Sequence, residues 1–204
     1  SKNKTRVVIG GSHGKTTITS MILHVMSYHN IAVDYMVGAQ LEGFDNMVHL
    51  TEDNDFIVLE GDEYLSSPMD RRPKFHLYQP NIALISGIAW DHINVFPTYG
   101  NYVDQFKIFV EKITNGGILV YNENDPEVKR VAEEATNPIR KLPYHTPEYS
   151  VQNGVTLLET PEGPMPIEIF GAHNLNNLAG AKWVCQNMGV DEADFYEAIA
   201  SFKG

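Results

Sequence analysis

The feature that most constrains this chain is Arg6-Val7-Val8-Ile9-Gly10-Gly11-Ser12-His13-Gly14-Lys15-Thr16-Thr17, where a β-branched run passes into glycines, a lysine and two hydroxyls. That order predicts a strand, a phosphate-cradling loop and the start of a helix. Small residues free backbone N–H groups to wrap phosphate oxygens, and a helix N-terminus adds positive partial charge. In this reading Lys15 reaches the outer phosphates and the Thr16 hydroxyl coordinates Mg²⁺, while Gly11, Ser12, His13, Gly14 and Thr17 complete the cradle. The position six before Lys15 is Ile9, so the spacing is the shorter Gly-x-x-Gly-Lys-Thr form of the phosphate loop. Its context gives it weight, because a strand-like run precedes it and Ile18, Met21, Ile22, Val25 and Met26 recur at helical spacing after it. A bound nucleotide is the expectation.

Charge narrows the partners. A formal net charge of −11, with no basic stripe, argues against nucleic acid, whose backbone is held mainly by Lys and Arg clusters. A nucleotide therefore needs local cationic help from Lys15, Mg²⁺ and the group Arg71, Arg72 and Lys74. No apolar run approaches the ~18 residues of a membrane span, and the first residues lack a signal-peptide core, so the sequence reads as cytoplasmic with no membrane partner. The single Cys185 excludes an internal disulfide and reads as a packed core residue.

Along the chain, residues 5–10 read as a buried strand and 15–29 as a helix, the opening of a βαβ unit. Strands are expected at 31–37, 55–60, 81–88 and 118–121, with a short edge strand at 47–50, and helices at 99–113 and from 126 to about 135. The 61–80 segment is too long and polar for a tight connection and reads as a functional loop. Residues 139–144 read as extended, and 155–158 with 167–170 flank a Pro-Glu-Gly-Pro turn as a hairpin. Helices return at 175–188 and 192–202. The expected fold is α/β: a phosphate-loop NTPase-like, mostly parallel sheet with helices on both faces, plus a small antiparallel sheet, all in one domain over residues 1–204.

Two further groups carry chemistry. Glu60 and His92 fall at or just beyond strand ends on the edge where ligands of open α/β sheets bind. With the Thr16 hydroxyl they can ligate Mg²⁺ around phosphate oxygens, although Asp62 and Glu63 beside Glu60 offer the same chemistry. In Gly171-Ala172-His173-Asn174-Leu175-Asn176-Asn177, the amides of Asn174 and Asn177 lie three apart and can share a face, where an amide matches the donor and acceptor of adenine. Plain N-capping by Asn174 is the alternative.

These motifs, in this order, resemble the central ATPase domain of the Mur ligases, ATP-dependent amide-forming enzymes of peptidoglycan synthesis. The resemblance covers essentially the whole chain. It implies that Lys15 and Thr16 bind the β- and γ-phosphates and Mg²⁺, that Glu60 and His92 are metal ligands, and that Asn174 and Asn177 lie by the adenine. Lys15, Glu60 and His92 are then the catalytic set. Glu60-Gly61-Asp62-Glu63-Tyr64, Asp70-Arg71-Arg72-x-Lys74-Phe75 and Asp91-His92-x-x-x-Phe96-Pro97 look most like the branch joining UDP-N-acetylmuramate to L-alanyl-γ-D-glutamyl-meso-diaminopimelate, with the L-alanine-adding branch next. Arg71 and Arg72 are candidate contacts to a substrate phosphate or carboxylate. Lys107 stands where several Mur ligases carry a carbamylated lysine, though a helix-surface lysine is the simpler reading. A full Mur ligase also has an amino-terminal UDP-sugar domain and a carboxyl-terminal domain, so the chain reads as an excised middle domain, by itself not competent for ligation. Rival readings are a GTPase, for which Asn122-Glu123-Asn124-Asp125 lacks the guanine-reading lysine, a folylpolyglutamate synthetase-like ligase, and a nucleotide-binding module without turnover.

Overall fold

The structure, a computed structural model, describes residues 4–38, 47–61, 78–89 and 98–204. Its main element is a seven-stranded sheet in the order β3-β2-β4-β1-β5-β6-β7, formed by β1 (Thr5–Gly10), β2 (Asp34–Met36), β3 (Val48–His49), β4 (Phe56–Glu60), β5 (Ile82–Ile85), β6 (Ile118–Asn122) and β7 (Arg140–Tyr144). Every pairing is parallel except the edge pair β2 and β3.

The central strands are apolar on both faces because both faces are covered. Val7 and Ile9 of β1 point into one core and Val8 into the other, and β5 and β6 repeat this with Leu84 and Val120 opposite Ala83 and Leu119. On the first face lie α1 (Lys15–Tyr28), α4 (Ala172–Asn187) and α5 (Glu192–Ile199), packed against one another. On the second lie α2 (Tyr99–Glu111) and α3 (Pro126–Glu134), where Tyr102, Phe106 and Phe109 are fully buried. Cys185 is buried on α4 in the first core, and burial pushes its thiol pKa up, as a structural role requires.

Residues 139–144 are extended as expected, and β7 pairs in parallel with β6, from Ile118 opposite Arg140 to Asn122 opposite Tyr144. The hairpin needs correction, since its second strand lies earlier than 167–170. β9 (Val155–Thr160) turns through Pro161 and Glu162 into β10 (Gly163–Ile167), and Thr160 Oγ1 donates to the Gly163 carbonyl at 2.7 Å across the turn. A third antiparallel strand, β8 (Tyr149–Gln152), joins β9 through Asn153 and Gly154, whose φ values of 52° and 79° are those of a two-residue hairpin turn with both central residues left-handed. Among the described residues no helix is long and apolar enough to cross a membrane.

Candidate functional site

Strand order places β1 between β4 and β5, so the Gly10–Gly14 loop leaves the sheet at its centre. The loop needs its glycines. Gly11 has φ +130°, and a Cβ there would sit 2.2 Å from Ser86 Oγ and 2.9 Å from Ser86 N. Gly14, at φ +81°, would press a Cβ to 2.7 Å from Asn177 Oδ1. Hydrogen bonds hold the loop onto the end of β5: Ser12 N donates to the Gly87 carbonyl at 2.9 Å, Ala89 N to Ser12 Oγ at 2.8 Å, and Ser86 Oγ to the His13 carbonyl. Helix α1 then begins at Lys15 with Gly14 as its N-cap, no side-chain cap and no acidic residue in the first turn. Its positive end is thus offered to an anion.

Glu60 closes the other side. The Thr16 hydroxyl donates to its Oε1 at 3.1 Å, the Gly38 N–H donates to its Oε2 at 3.1 Å, and Gly61 N donates to the Ile9 carbonyl at 2.7 Å, fixing the end of β4 beside the loop. Sending its proton to the carboxylate turns the lone pairs of Thr16 Oγ1 outward. A hydroxyl and a carboxylate joined in this way form the hard-oxygen pair that Mg²⁺ takes beside a nucleotide's phosphates, so the residues present fit that ion. The other metal-capable group among the described residues, His29, Asp194 and Glu197, lies at the far end of α1, roughly 20 Å off by the 1.5 Å rise per residue. His92, Arg71 and Arg72, like Lys74, Asp62 and Glu63, fall outside the described residues. Lys107 lies on α2, its Nζ 4.0 Å from Asp104 Oδ1 and 40% exposed.

Beside the loop opens a groove of about 520 Å³ lined by His13, Asn122, Asn124, Thr146, His173 and Asn176, among others. The rings of His13 and His173 pack against each other in its lining, 5.3 Å between centroids and tilted by 48°. Asn124 Nδ2, also in the lining, donates to Thr146 Oγ1 at 3.1 Å. Asn174 is half-buried and its Nδ2 donates back to the Phe170 carbonyl at 3.4 Å, while Gly171, with φ 89°, holds the N-cap position of α4. Asn177, 3% exposed, lies under Gly14. The amide of this motif that lines the groove is that of Asn176. Ser86 carries no motif in the sequence, and Asn122 and Asn176 appear there only inside longer motifs; a polar side chain at the end of an apolar strand is the signal for Ser86 and Asn122.

The family model for the Mur ligase middle domain matches residues 9–185. The chain belongs to the Mur ligase family. Among its Mur ligase relatives, the Porphyromonas gingivalis protein named UDP-N-acetylmuramate–L-alanine ligase is 26% identical over 96% of this chain. The Escherichia coli protein named UDP-N-acetylmuramate–L-alanyl-gamma-D-glutamyl-meso-2,6-diaminoheptandioate ligase is 27% identical over 96%. The chain spans 44% of the length of each. The fold matches the UDP-N-acetylmuramate:L-alanyl-gamma-D-glutamyl-meso-diaminopimelate ligase from Neisseria meningitides with a TM-score of 0.82 at 23% identity, covering 100% of this chain and 67% of that one. It also matches the MurF ligase from Thermotoga maritima in complex with ADP, with a TM-score of 0.74 at 19% identity, covering 99% of this chain and 49% of that one.

Proposed function

We propose that residues 1–204 act as the central ATP-binding domain of a longer Mur ligase that transfers the γ-phosphoryl group of ATP to the carboxylate of UDP-N-acetylmuramate. An amine then attacks the acyl phosphate, giving an amide, ADP and phosphate. We assign the amine to the peptide L-alanyl-γ-D-glutamyl-meso-diaminopimelate, on the motif likeness around Glu60 and His92, with L-alanine as the other reading. Relatives of both kinds support the class.

The observation that carries the nucleotide reading is the Thr16–Glu60 contact of 3.1 Å at the mouth of a loop whose glycines have no room for a side chain. The loop and the start of α1 orient the phosphates, and the Lys15 ammonium offsets charge on the transferring group, since phosphoryl transfer asks the protein mainly for positioning and charge neutralisation. Thr16 and Glu60, with His92, would hold Mg²⁺, which supplies charge neutralisation at the phosphate oxygens. The groove receives the base against the paired imidazoles of His13 and His173 and the amide of Asn176. Asn174 and Asn177 frame that site from the solvent side and from beneath the loop. Arg71 and Arg72 are assigned to an anionic group of the substrates.

Calorimetry with ATP and Mg²⁺ tests the reading. The wild-type chain should bind, and Lys15→Ala should weaken binding by roughly tenfold or more, the scale of a lost hydrogen bond to a charged group. Equal affinity in the two proteins would overturn the loop assignment. ATP should exceed GTP several-fold, at roughly 0.5–1.5 kcal/mol per neutral hydrogen bond to the base. In the full-length enzyme, Arg71→Ala and Arg72→Ala should each lower kcat/KM for the UDP-sugar or the peptide with ATP affinity unchanged; wild-type kinetics would remove them from the site.

A further inference from the structure

Buried polar side chains cost free energy unless their hydrogen bonds are made, so their clustering shows where a fold has been constrained for something other than stability. Among the described residues seven polar or charged side chains are buried, and four of them, Ser86, Asn122, Asn176 and Asn177, collect beneath the phosphate loop. Three of them, Ser86, Asn122 and Asn176, are linked. The Ser86 hydroxyl donates to the carbonyl of His13, within the loop. The Ser86 carbonyl accepts from Asn122 Nδ2 at 2.9 Å, and Asn122 Oδ1 accepts from Asn124 N at 3.0 Å and from Asn176 Nδ2 at 3.3 Å. A chain of hydrogen bonds therefore runs from the loop, through the end of β5, to the end of β6 and the first turns of α4.

Asn122 is the node of that chain, and its amide can sit only one way. Flipping it would set NH₂ against the Asn124 and Asn176 donors and oxygen against the Ser86 carbonyl, losing all three bonds. The loop end of the chain is also fixed sterically, since Gly11 lies so close to Ser86 that even a Cβ would overlap its hydroxyl. Ser86 does not line the nucleotide groove, whereas Asn122 and Asn176 do.

We propose that Ser86 and Asn122 are positioning residues for nucleotide binding: they hold the His13 carbonyl back into the protein and so keep the loop in its phosphate-receiving shape, tied to the helix that floors the base groove. The proposal rests on the reading of the loop and groove as a nucleotide site. It predicts that losing either residue weakens recognition of the phosphates while recognition of the base by itself survives in the Ser86 variant.

The test is titration of the 204-residue chain and of its Ser86→Ala, Asn122→Ala and double variants with ATP and Mg²⁺, with inorganic tripolyphosphate, and with adenosine followed by NMR. Ser86→Ala should weaken ATP and tripolyphosphate by roughly five- to tenfold, the upper part of the range for one neutral hydrogen bond, and leave adenosine within about twofold of wild type. The double variant should lose less than the product of the two single effects, because both act through one chain of bonds. Wild-type ATP affinity in Ser86→Ala would overturn the proposal, and so would a parallel loss of adenosine, which marks general damage to the fold. If the unmutated chain binds neither ATP nor tripolyphosphate, the nucleotide reading itself fails. Should Asn122→Ala not fold, Ser86→Ala, which removes one oxygen atom, decides the matter.

Discussion

Gly11→Ala isolates the steric argument for the loop. At φ +130° the backbone lies where an L side chain is strained, at about 1–3 kcal/mol. The added Cβ would also meet Ser86 Oγ at 2.2 Å and Ser86 N at 2.9 Å, and the second of these is backbone in a strand extension that cannot swing aside. Overpacking of this kind costs about 1–3 kcal/mol more, so about 3 kcal/mol is a moderate total. For a chain of this size that lowers Tm by roughly 6–12 °C. The control is Gly116→Ala, where φ is +79° but nothing lies within 4 Å, so only the strain remains. Scanning calorimetry of both variants without nucleotide should show Gly11→Ala losing clearly more than Gly116→Ala. If the loop escapes the clash by moving, the loss appears instead in ATP affinity. A Gly11→Ala protein as stable as Gly116→Ala that also binds ATP like wild type would refute the packing of Gly11 on Ser86.

Thr16→Val should abolish the gain in ATP affinity conferred by Mg²⁺ while sparing Mg²⁺-free binding, and Thr16→Ser should restore it; a Mg²⁺ effect that persists in Thr16→Val would remove this hydroxyl from the metal site. Asp34, fully buried on β2, sits with Lys4 Nζ at 3.1 Å. Burial by itself would raise its carboxyl pKa, but hydrogen bonds from Thr51 N, the Thr51 hydroxyl, Lys4 and Asn54 outweigh that and hold it at about 2, against an ordinary 3.8. A lowered folded-state pKa gives stability that is present above about pH 4 and is lost as pH falls toward 2, worth about 2 kcal/mol at 1.36 kcal/mol per pH unit. Asp34→Asn should therefore flatten the acid limb of a Tm-against-pH curve, and an unchanged limb would refute the assignment.

What the sequence made legible was whatever repeats. Apolar runs two-sided enough to be buried between helix layers located β1, β4, β5 and β6, and the glycine loop located the site edge. The misses have local causes. β8, Tyr149-Ser150-Val151-Gln152, does alternate, but over only four residues and with both apolar side chains exposed, so its stronger signal was the Asn153-Gly154 turn. β7 was legible as extended, but its parallel pairing with β6 was not, since with Arg140, Lys141 and Pro143 it reads as polar because it is a sheet edge. In α4 the i,i+3 rule does put Asn174 and Asn177 on one side, but that side slopes inward along the helix. Asn174 in the first turn is half-buried, Asn177 one turn deeper is buried under Gly14, and Asn176, about 100° around the axis from Asn177, takes the groove. Spacing gives the face; only packing gives the depth.

On the proposed nucleotide reading, a chain with a net charge of −11 must also keep its own local negative ends away from the phosphates, and the loop carbonyls are placed accordingly. The Gly10 carbonyl accepts from Ser86 N at 3.1 Å, the His13 carbonyl accepts from the Ser86 hydroxyl, and the Gly14 carbonyl accepts from Ile18 N at 2.9 Å. Each of these dipoles is thereby turned into the protein or along α1, so its negative end does not face an incoming phosphate. Ser86 supplies two of the three donors, one from its backbone and one from its side chain. Replacing it with alanine keeps the first and loses the second, so the His13 carbonyl is the one dipole set free to turn toward the phosphates.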